Sequence, residues 1–204
     1  MTTTPVITPP IRPAQPSDVP TIAALLTDAI PVTQWLVPDP TERQQVFHGL
    51  LAMEVDHAVE SGHVDVTLDM TAVAVWHHHP VTGAAPLSDY HLRTFTGRAL
   101  PRFQQLHALI NRYRSGAPHH WLAWLHVLPD ARRHGIGRAL LTRHHQRVDQ
   151  LGYPVDAVVT SVPARDHLTR RGYHAGTPLR LHGGPHLWPL RRASQPIPPT
   201  TAAS

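Results

Sequence analysis

The sequence predicts an α/β (α+β) fold in which strands and helices belong to one domain. An apolar run, His120–Val127, ends in a basic turn with two glycines and is followed by a segment of helical period. Two shorter apolar runs, residues 63–68 and 72–76, flank a tight turn, which is typical of antiparallel strands. At 204 residues, 41% of them hydrophobic, the chain is long enough for one domain with a sizeable core.

The start of the chain predicts one strand and one helix. Residues 1–10 are rich in Thr and Pro and are expected to form a disordered head. Residues 11–14 have the composition of a short first strand. Ser17 or Asp18 then offers a side-chain oxygen that can cap a helix running to about Ile30.

A second helix is predicted after a proline-rich loop. Thr41 and Gln44 have the spacing of a capping box, in which each side chain binds a backbone N–H of the first helical turn. Apolar residues then recur at helical spacing as far as Gly62, which is expected to end the helix. The loop prolines are Pro31, Pro38 and Pro40, and the inward residues are Phe47, Leu50, Leu51 and Ala58.

The region between the two short strands and the long apolar run, residues 80–118, is irregular. Its first part is a predicted loop. Ser88 or Asp89 can cap a helix, and Pro101 suits the first position of another, where its missing N–H costs no hydrogen bond. One side of that helix carries Phe103, Leu106, Ile110 and Tyr113.

The last third of the chain continues the alternation of helix and strand. A helix after the basic turn is expected to end at Gly152, and residues 155–161 form the next predicted strand. Pro163 opens a short helix, and residues 186–191 form a last strand. Residues 193–204 are expected to be a disordered tail. The inward positions of the first helix are Ile136, Leu140, His144, Val148 and Leu151.

The turn after the long apolar run carries the most informative pattern, Arg132-x-x-Gly135-x-Gly137. Glycine has no Cβ, so a ligand can approach the backbone closely at both glycines. The free N–H groups of the first helical turn add the positive end of the helix dipole. Arg132, Arg133 and Arg138 add fixed charge. The turn is therefore predicted to bind an anion, and a diphosphate suits it.

Two other phosphate-binding patterns are excluded. A Rossmann turn needs a third glycine and a later acidic residue, and neither is at the required place. A P-loop needs a lysine, and the chain has none. The spacing instead resembles the GNAT superfamily of acyl-CoA N-acyltransferases, whose Gln/Arg-x-x-Gly-x-Gly/Ala motif joins strand four to helix three and binds the diphosphate of coenzyme A. A plain strand–turn–helix with glycines in its turn is the alternative.

Further segments appear in the same order as in the branch of this superfamily that includes puromycin N-acetyltransferase. The resemblance covers residues 11–192 and implies one acetyltransferase domain over that range. It also implies a mixed, mostly antiparallel central sheet flanked by helices, with a helical insert before the motif strand. The segments are Ala72–Trp76, His120–Leu122, Val127-x-Pro129, Thr160-Ser161, Arg171–Tyr173 and Gly183–Trp188.

The resemblance implies a site for acetyl-CoA. The backbone of Leu125, His126 and Val127 would pair with the pantetheine arm, and the N–H of Leu125 would polarise the acetyl carbonyl. The diphosphate would lie on the turn, with Arg133 or Arg138 reaching a coenzyme phosphate. The turn residues are Arg132, Arg133, His134, Gly135, Ile136, Gly137 and Arg138.

A base for the amine proton is expected near the start of the motif strand, as is common in the superfamily. His119 and His120 are the candidates, since an imidazole suits proton transfer at neutral pH. Strict alternation along a strand would place them on opposite faces. It would also place Leu125 and Val127 on the face of His119.

The residue at the position of the acid that protonates the leaving thiolate differs from the one common in the superfamily. A Tyr commonly stands four residues before the glycine of a Gly-Phe/Tyr pair, and counting back from Gly172 gives Leu168.

Two functions follow from the resemblance. One is direct acetyl transfer, in a ternary complex, to the amine of a small molecule such as an antibiotic or secondary metabolite. The other is a catalytically silent acyl-CoA-binding module or regulator.

The composition of the chain limits the kinds of partner that the protein is expected to bind. The formal charge is +4, yet the arginines are scattered and no nucleic-acid-binding motif is present, so no nucleic acid is expected. No apolar run has membrane-spanning length and no signal pattern is visible, so a cytoplasmic monomer or homodimer is expected. Side chains in the run His77–His79 point to alternate faces, so no metal is expected.

Overall fold

The computed structural model describes residues 9–27, 31–61, 63–80, 89–114 and 116–195. Most of the predicted head and tail lies outside these ranges, as do the predicted helix end at Gly62 and most of the predicted loop after residue 80. Both described ends are hydrogen-bonded to the domain. The N–H of Leu68 donates to the carbonyl of Pro10 (2.8 Å), and the N–H of Gln195 donates to Asp149 Oδ1 (2.8 Å).

Strands and helices alternate in the predicted order. The strands are β1 (Ile11–Pro13), β2 (Val64–Thr67), β3 (Ala72–His79), β4 (His119–Val127), β5 (Val155–Val159), β6 (His174–Ala175), β7 (Leu179–Arg180) and β8 (His186–Arg192). The helices are α1 (Val19–Thr27), α2 (Pro31–Leu36), α3 (Pro40–Glu60), α4 (Asp89–Thr96), α5 (Leu100–Asn111), α6 (Ile136–Leu151) and α7 (Val162–Thr169). In the described parts of the chain, no helix combines the length and apolar character needed to cross a membrane.

The strands form one mixed sheet in the order β1-β2-β3-β4-β5-β8-β6, with β7 paired to β8. The β4–β5 pair is parallel, and the other pairs are antiparallel. The predicted mixed, mostly antiparallel sheet is therefore confirmed. Helices α4 and α5 precede β4 and confirm the predicted helical insert.

Helices cover both faces of the sheet, so its central strands are buried on both sides. Val73 and Val75 of β3 face a core shared with α1 to α5, whereas Ala74 and Trp76 face a second core formed with α6 and α7. All four side chains are fully buried. This two-sided burial explains why β3 reads as a continuous apolar run rather than as an alternating one.

The proline-rich region after α1 differs from the prediction of a loop. Pro31–Leu36 is the helix α2, since proline is tolerated in the first turn and Val32 and Leu36 both reach the core. The predicted capping box of the next helix is also wrong. Asp39 caps it, with Oδ1 accepting the N–H of Glu42 at 2.8 Å, because the helix begins at Pro40.

Three smaller features also differ. Strands β6 and β7 have two residues each, too few to produce a sequence period, and both pair with β8. Leu151, predicted to face inward, is 60% exposed because the helix ends at Gly152 in a left-handed cap. Tyr113 lies beyond the end of α5 and is also exposed.

Histidines fill part of the interior between the sheet and α6. The ring of His144 stacks on Trp76 with centroids 3.9 Å apart, and its Nε2 lies 3.1 Å from Nδ1 of His120. Burial, reinforced by neighbouring histidines and Arg147, lowers the pKa of His120 to about 3 and that of His144 to about 2. Both rings are therefore neutral at neutral pH, and protonating either would place a charge in the core.

Acidification is expected to destabilise the fold from about pH 6.5 downward. In that range the histidines of the unfolded chain bind protons, whereas the buried rings of the folded chain bind them only at much lower pH. Each such ring costs about 1.4 kcal/mol per pH unit in this window. Urea unfolding between pH 7.5 and 5 measures the slope. The double variant H120F/H144F keeps two aromatic rings that cannot bind a proton and should reduce this slope, whereas H48N, at an exposed histidine, should not. An unchanged slope in the double variant would contradict the assignment.

Candidate functional site

Strands β4 and β5 run side by side over a short distance and then separate. Their paired residues are His120–Val155, Trp121–Asp156 and Leu122–Ala157. Beyond Leu122, β4 continues to Val127 and β5 to Val159, and the described residues form no ladder between these two segments. One edge of β4 thus presents backbone groups that no neighbouring strand pairs, over the segment that was predicted to bind pantetheine; the carbonyl of Val127 at its end accepts a hydrogen bond from Arg132.

A bulge in β4 marks the point of separation. Val75 pairs with Trp124, but the next residue, Trp76, pairs with Leu122, so Ala123 is an extra residue in β4. An extra residue of this kind bends the strand and re-aims the side chains that follow. The bulge therefore accounts for both the separation of the strands and a change of face along β4.

The change of face corrects the predicted alternation. Ala123 and Trp124 both pack against the core of α1 to α5, whereas Leu125 and Val127 pack against the core of α6 and α7. His119 lies before the bulge, on the other side from Leu125 and Val127. The predicted grouping of these three residues on one face is wrong because the extra residue reverses the alternation.

The basic turn ends in the start of α6. Gly135 is the residue before the helix and has φ +80°, and the first helical hydrogen bond runs from the N–H of Ala139 to its carbonyl at 3.0 Å. The N–H groups of Ile136, Gly137 and Arg138 precede that bond and have no acceptor within the helix. These N–H groups belong to the turn that was predicted to bind an anion.

Charged side chains around this turn differ in their availability. Nε of Arg132 donates to the carbonyl of Val127 at 2.9 Å, which ties the turn to the end of β4. Arg133 takes a left-handed conformation with φ +65°, and both Arg133 and Arg138 are exposed. His134 is exposed as well. Arg132 therefore shapes the turn, while Arg133 and Arg138 present their charge to solvent.

The second glycine of the motif lies in a cradle formed by β4 and α7. A Cβ on Gly137 would lie 3.6 Å from Cγ2 of Val127 and 3.7 Å from Nε2 of His167. That nitrogen is buried, and within the described structure it has no hydrogen-bond partner. No sequence pattern singles out His167, since it is one of 18 histidines and belongs to no motif.

No phenol of α7 or of the segment that follows it can serve as the acid found in the superfamily. Leu168 stands at the corresponding position and is buried in the core of α6 and α7. The hydroxyl of the nearby Tyr173 lies 2.9 Å from Nε2 of His145, and burial raises its pKa. Tyr173 is thus a core residue, as its sequence position indicated.

The two predicted base residues differ in their surroundings. His120 is buried, and its Nδ1 lies 3.1 Å from Nε2 of His144. Its pKa is lowered to about 3, so it is a weak base. His119 is equally buried, but its Nδ1 lies 2.8 Å from the carbonyl of Ala117. A carbonyl can only accept, so the proton is on Nδ1 and the lone pair is on Nε2. That Nε2 has no hydrogen-bond partner in the described residues and lies 3.9 Å from Asp156 Oδ2.

Both histidines lie on the paired side of the point of separation. His119 precedes Leu125 by six residues, which corresponds to about 20 Å along an extended strand. An amine placed at Leu125 would therefore exchange a proton with His119 through intervening water rather than directly.

No family model matches the sequence. Solved structures do match over nearly the whole chain. An HPA2-type histone acetyltransferase-related protein from Corynebacterium glutamicum has a TM-score of 0.70 at 22% identity and covers 93% of this chain and 99% of its own. Arylalkylamine N-acetyltransferase 2 from Aedes aegypti has a TM-score of 0.69 at 10% identity, with 91% and 99% covered.

A polyamine N-acetyltransferase from Drosophila melanogaster, which forms N-acetylagmatine, has a TM-score of 0.63 at 16% identity and covers 90% of this chain and 99% of its own. Identities this low establish the fold, and the fold is that of the GNAT acetyltransferases.

Replacing Gly135 by Ala is expected to lower the free energy of unfolding by about 1 kcal/mol, because a side chain at φ +80° is strained even though the space there is open. Gly116 is a matched control, since its added Cβ also meets open space and its φ is not in the left-handed region. Urea unfolding should show the loss for G135A and none for G116A. Equal stability of G135A and the parent would contradict the left-handed conformation.

Proposed function

We propose that the chain is an acetyl-CoA-dependent N-acetyltransferase that acetylates the amine of a small molecule by direct transfer in a ternary complex. The observation that carries the proposal is a continuous backbone surface. The edge of β4 that no strand pairs runs from the bulge at Ala123 to Val127, and Val127 lies against Gly137 in the first turn of α6, where the N–H groups are open. A ligand with a hydrogen-bonding arm and a diphosphate matches that surface.

The residues present fit coenzyme A. Ile136, Gly137 and Arg138 would hold the diphosphate through their N–H groups, and Arg133 would add charge from the exposed side. Because Gly137 has no side chain, the coenzyme could approach its backbone closely in the cradle, in space that a larger side chain would fill. Acetyl-CoA supplies the acetyl thioester. The N–H of Leu125, on the unpaired edge, would donate to the oxygen on which charge develops.

His119 is the better of the two proposed bases. Its Nε2 carries a free lone pair and lies 3.9 Å from Oδ2 of Asp156. Asp156 also accepts a hydrogen bond from Nη1 of Arg191 at 3.1 Å. The proton leaves the amine nitrogen, travels through water, and ends on Nε2, so the amine lone pair is free to attack.

The acceptor is proposed to be an antibiotic or secondary metabolite with a free amine. Support comes from the order of segments shared with the puromycin-acetylating branch. Solved structures of the same fold include enzymes named for agmatine and arylalkylamines, which are also small amines. We further propose that the protein works without a metal, as a monomer or homodimer in the cytoplasm.

A second function is favoured by one observation. The side chain at the usual acid position, Leu168, belongs to the core, and the nearest phenol, Tyr173, is buried against His145. A chain that binds acyl-CoA without transferring the acyl group would show this arrangement. Both functions require coenzyme binding, but only the N-acetyltransferase would turn over acetyl-CoA.

Coenzyme binding is expected to be lost when Gly137 is replaced by Glu, because the new side chain fills the cradle and adds negative charge beside the diphosphate. Isothermal calorimetry with coenzyme A measures it, and we expect at least a tenfold loss of affinity, about 1.4 kcal/mol. E60Q is a charge control at the far end of α3 and should bind as the parent does. Equal affinity of G137E would contradict the proposed site.

Release of free thiol from acetyl-CoA in the presence of an amine panel tests catalysis. H119Q should lower kcat by about 100-fold, because general base catalysis typically contributes that much or more, whereas H120Q should lower it by less than tenfold. A larger effect of H120Q would contradict the choice of His119, and coenzyme binding without turnover on any amine would favour the silent module.

A further inference from the structure

A polar group that the proposed chemistry has not used lies beside the proposed coenzyme site. His167 lies on α7, and its imidazole edge meets the cradle at Gly137 together with the side chain of Val127. Three elements therefore converge on one point, namely the end of β4, the first turn of α6 and the middle of α7. The unpaired edge of β4 reaches this point at Val127.

The nitrogen at this point is buried and unused. Nε2 of His167 has neither solvent contact nor a hydrogen-bond partner in the described residues, which is costly for a polar atom. Most buried polar atoms in folded proteins are paired, so an isolated one beside the proposed coenzyme site calls for a partner, which a ligand can supply. The next residue, Leu168, turns into the core.

The charge state of the ring limits what it can do. Burial, reinforced by Arg171 and Arg170, lowers the pKa of His167, so the ring is neutral at neutral pH. The carboxylate of Asp166, next to it in α7, is occupied by Arg165 at 2.8 Å. A neutral imidazole has one N–H, and releasing that proton to a thiolate would leave an imidazolate. His167 therefore cannot be the missing proton source, but it can donate or accept a hydrogen bond without transferring the proton.

Resting on the coenzyme site proposed above, we propose that His167 is a coenzyme-binding residue whose Nε2 hydrogen-bonds the pantetheine arm of acetyl-CoA where the arm crosses between β4 and α7. It holds the arm on the side opposite the open edge of β4. The leaving sulfur is thereby positioned by a hydrogen bond rather than protonated by a phenol. The role differs from that of the tyrosine that the superfamily carries one position later.

Calorimetry with two ligands tests the proposal. H167F keeps the ring volume and removes the hydrogen bond, so its affinity for coenzyme A should fall about fivefold to tenfold, the usual size of one hydrogen bond. Its affinity for 3′-phospho-ADP, which lacks the arm, should equal that of the parent. H167Q retains a donor and an acceptor and should restore most of the affinity for coenzyme A. H174F, at an exposed histidine of β6, is the matched control and should bind both ligands normally.

Two results would overturn the proposed role of His167. Equal affinity of H167F and the parent for coenzyme A overturns the proposal. Equal losses for coenzyme A and 3′-phospho-ADP also overturn it, because the contact would then be to the diphosphate. Urea unfolding of H167F, expected to be unchanged or slightly improved because a buried unpaired nitrogen is removed, separates misfolding from lost binding. If the parent itself binds neither ligand, the coenzyme site fails, and with it the function proposed above.

Discussion

The separation of β4 from β5 is the constraint on which the site depends. A parallel pair would normally continue its ladder to the ends of both strands, and that ladder would use the backbone groups a ligand needs. The extra residue at Ala123 bends β4 at the point where the ladder stops. The backbone beyond it is left with one edge unpaired, which inside a domain is tolerated only if something else satisfies it.

The rest of the fold holds this open edge in place. Helices α1 to α5 bury one face of the sheet, and α6 and α7 bury the other, so the strands cannot simply close together without moving two cores. The hydrogen bond from Arg132 to Val127 ties the turn before α6 to the end of the same strand. Strand edge and helix start thus keep a fixed relation to each other.

Buried histidines give this framework an unusual electrostatic character. Where their nitrogens are paired with each other, as in His120 and His144, they behave as polar core residues that must remain neutral. Nε2 of His167 is buried and has no hydrogen-bond partner in the described residues, and its proposed partner is the coenzyme. His119 is intermediate, buried but with its lone pair beside a carboxylate. The surroundings of each ring, rather than its residue type, determine its role.

Local patterns in the sequence predicted most of the elements and singled out the glycine-containing turn, because helical period and glycine spacing act over a few neighbouring residues. The mixed, mostly antiparallel sheet was predicted from the family resemblance. The local patterns missed α2 and the two-residue strands, where proline and short length hide the period. The bulge, the faces of Leu125 and Val127, the difference between His119 and His120, and the position of His167 were decided by the tertiary structure. Each of these depends on a partner far away in the chain: β3 for the register of β4, α6 for His120, β5 for His119, and Gly137 for His167. A single sequence carries no direct record of such long-range pairings, so only the packed fold could assign them.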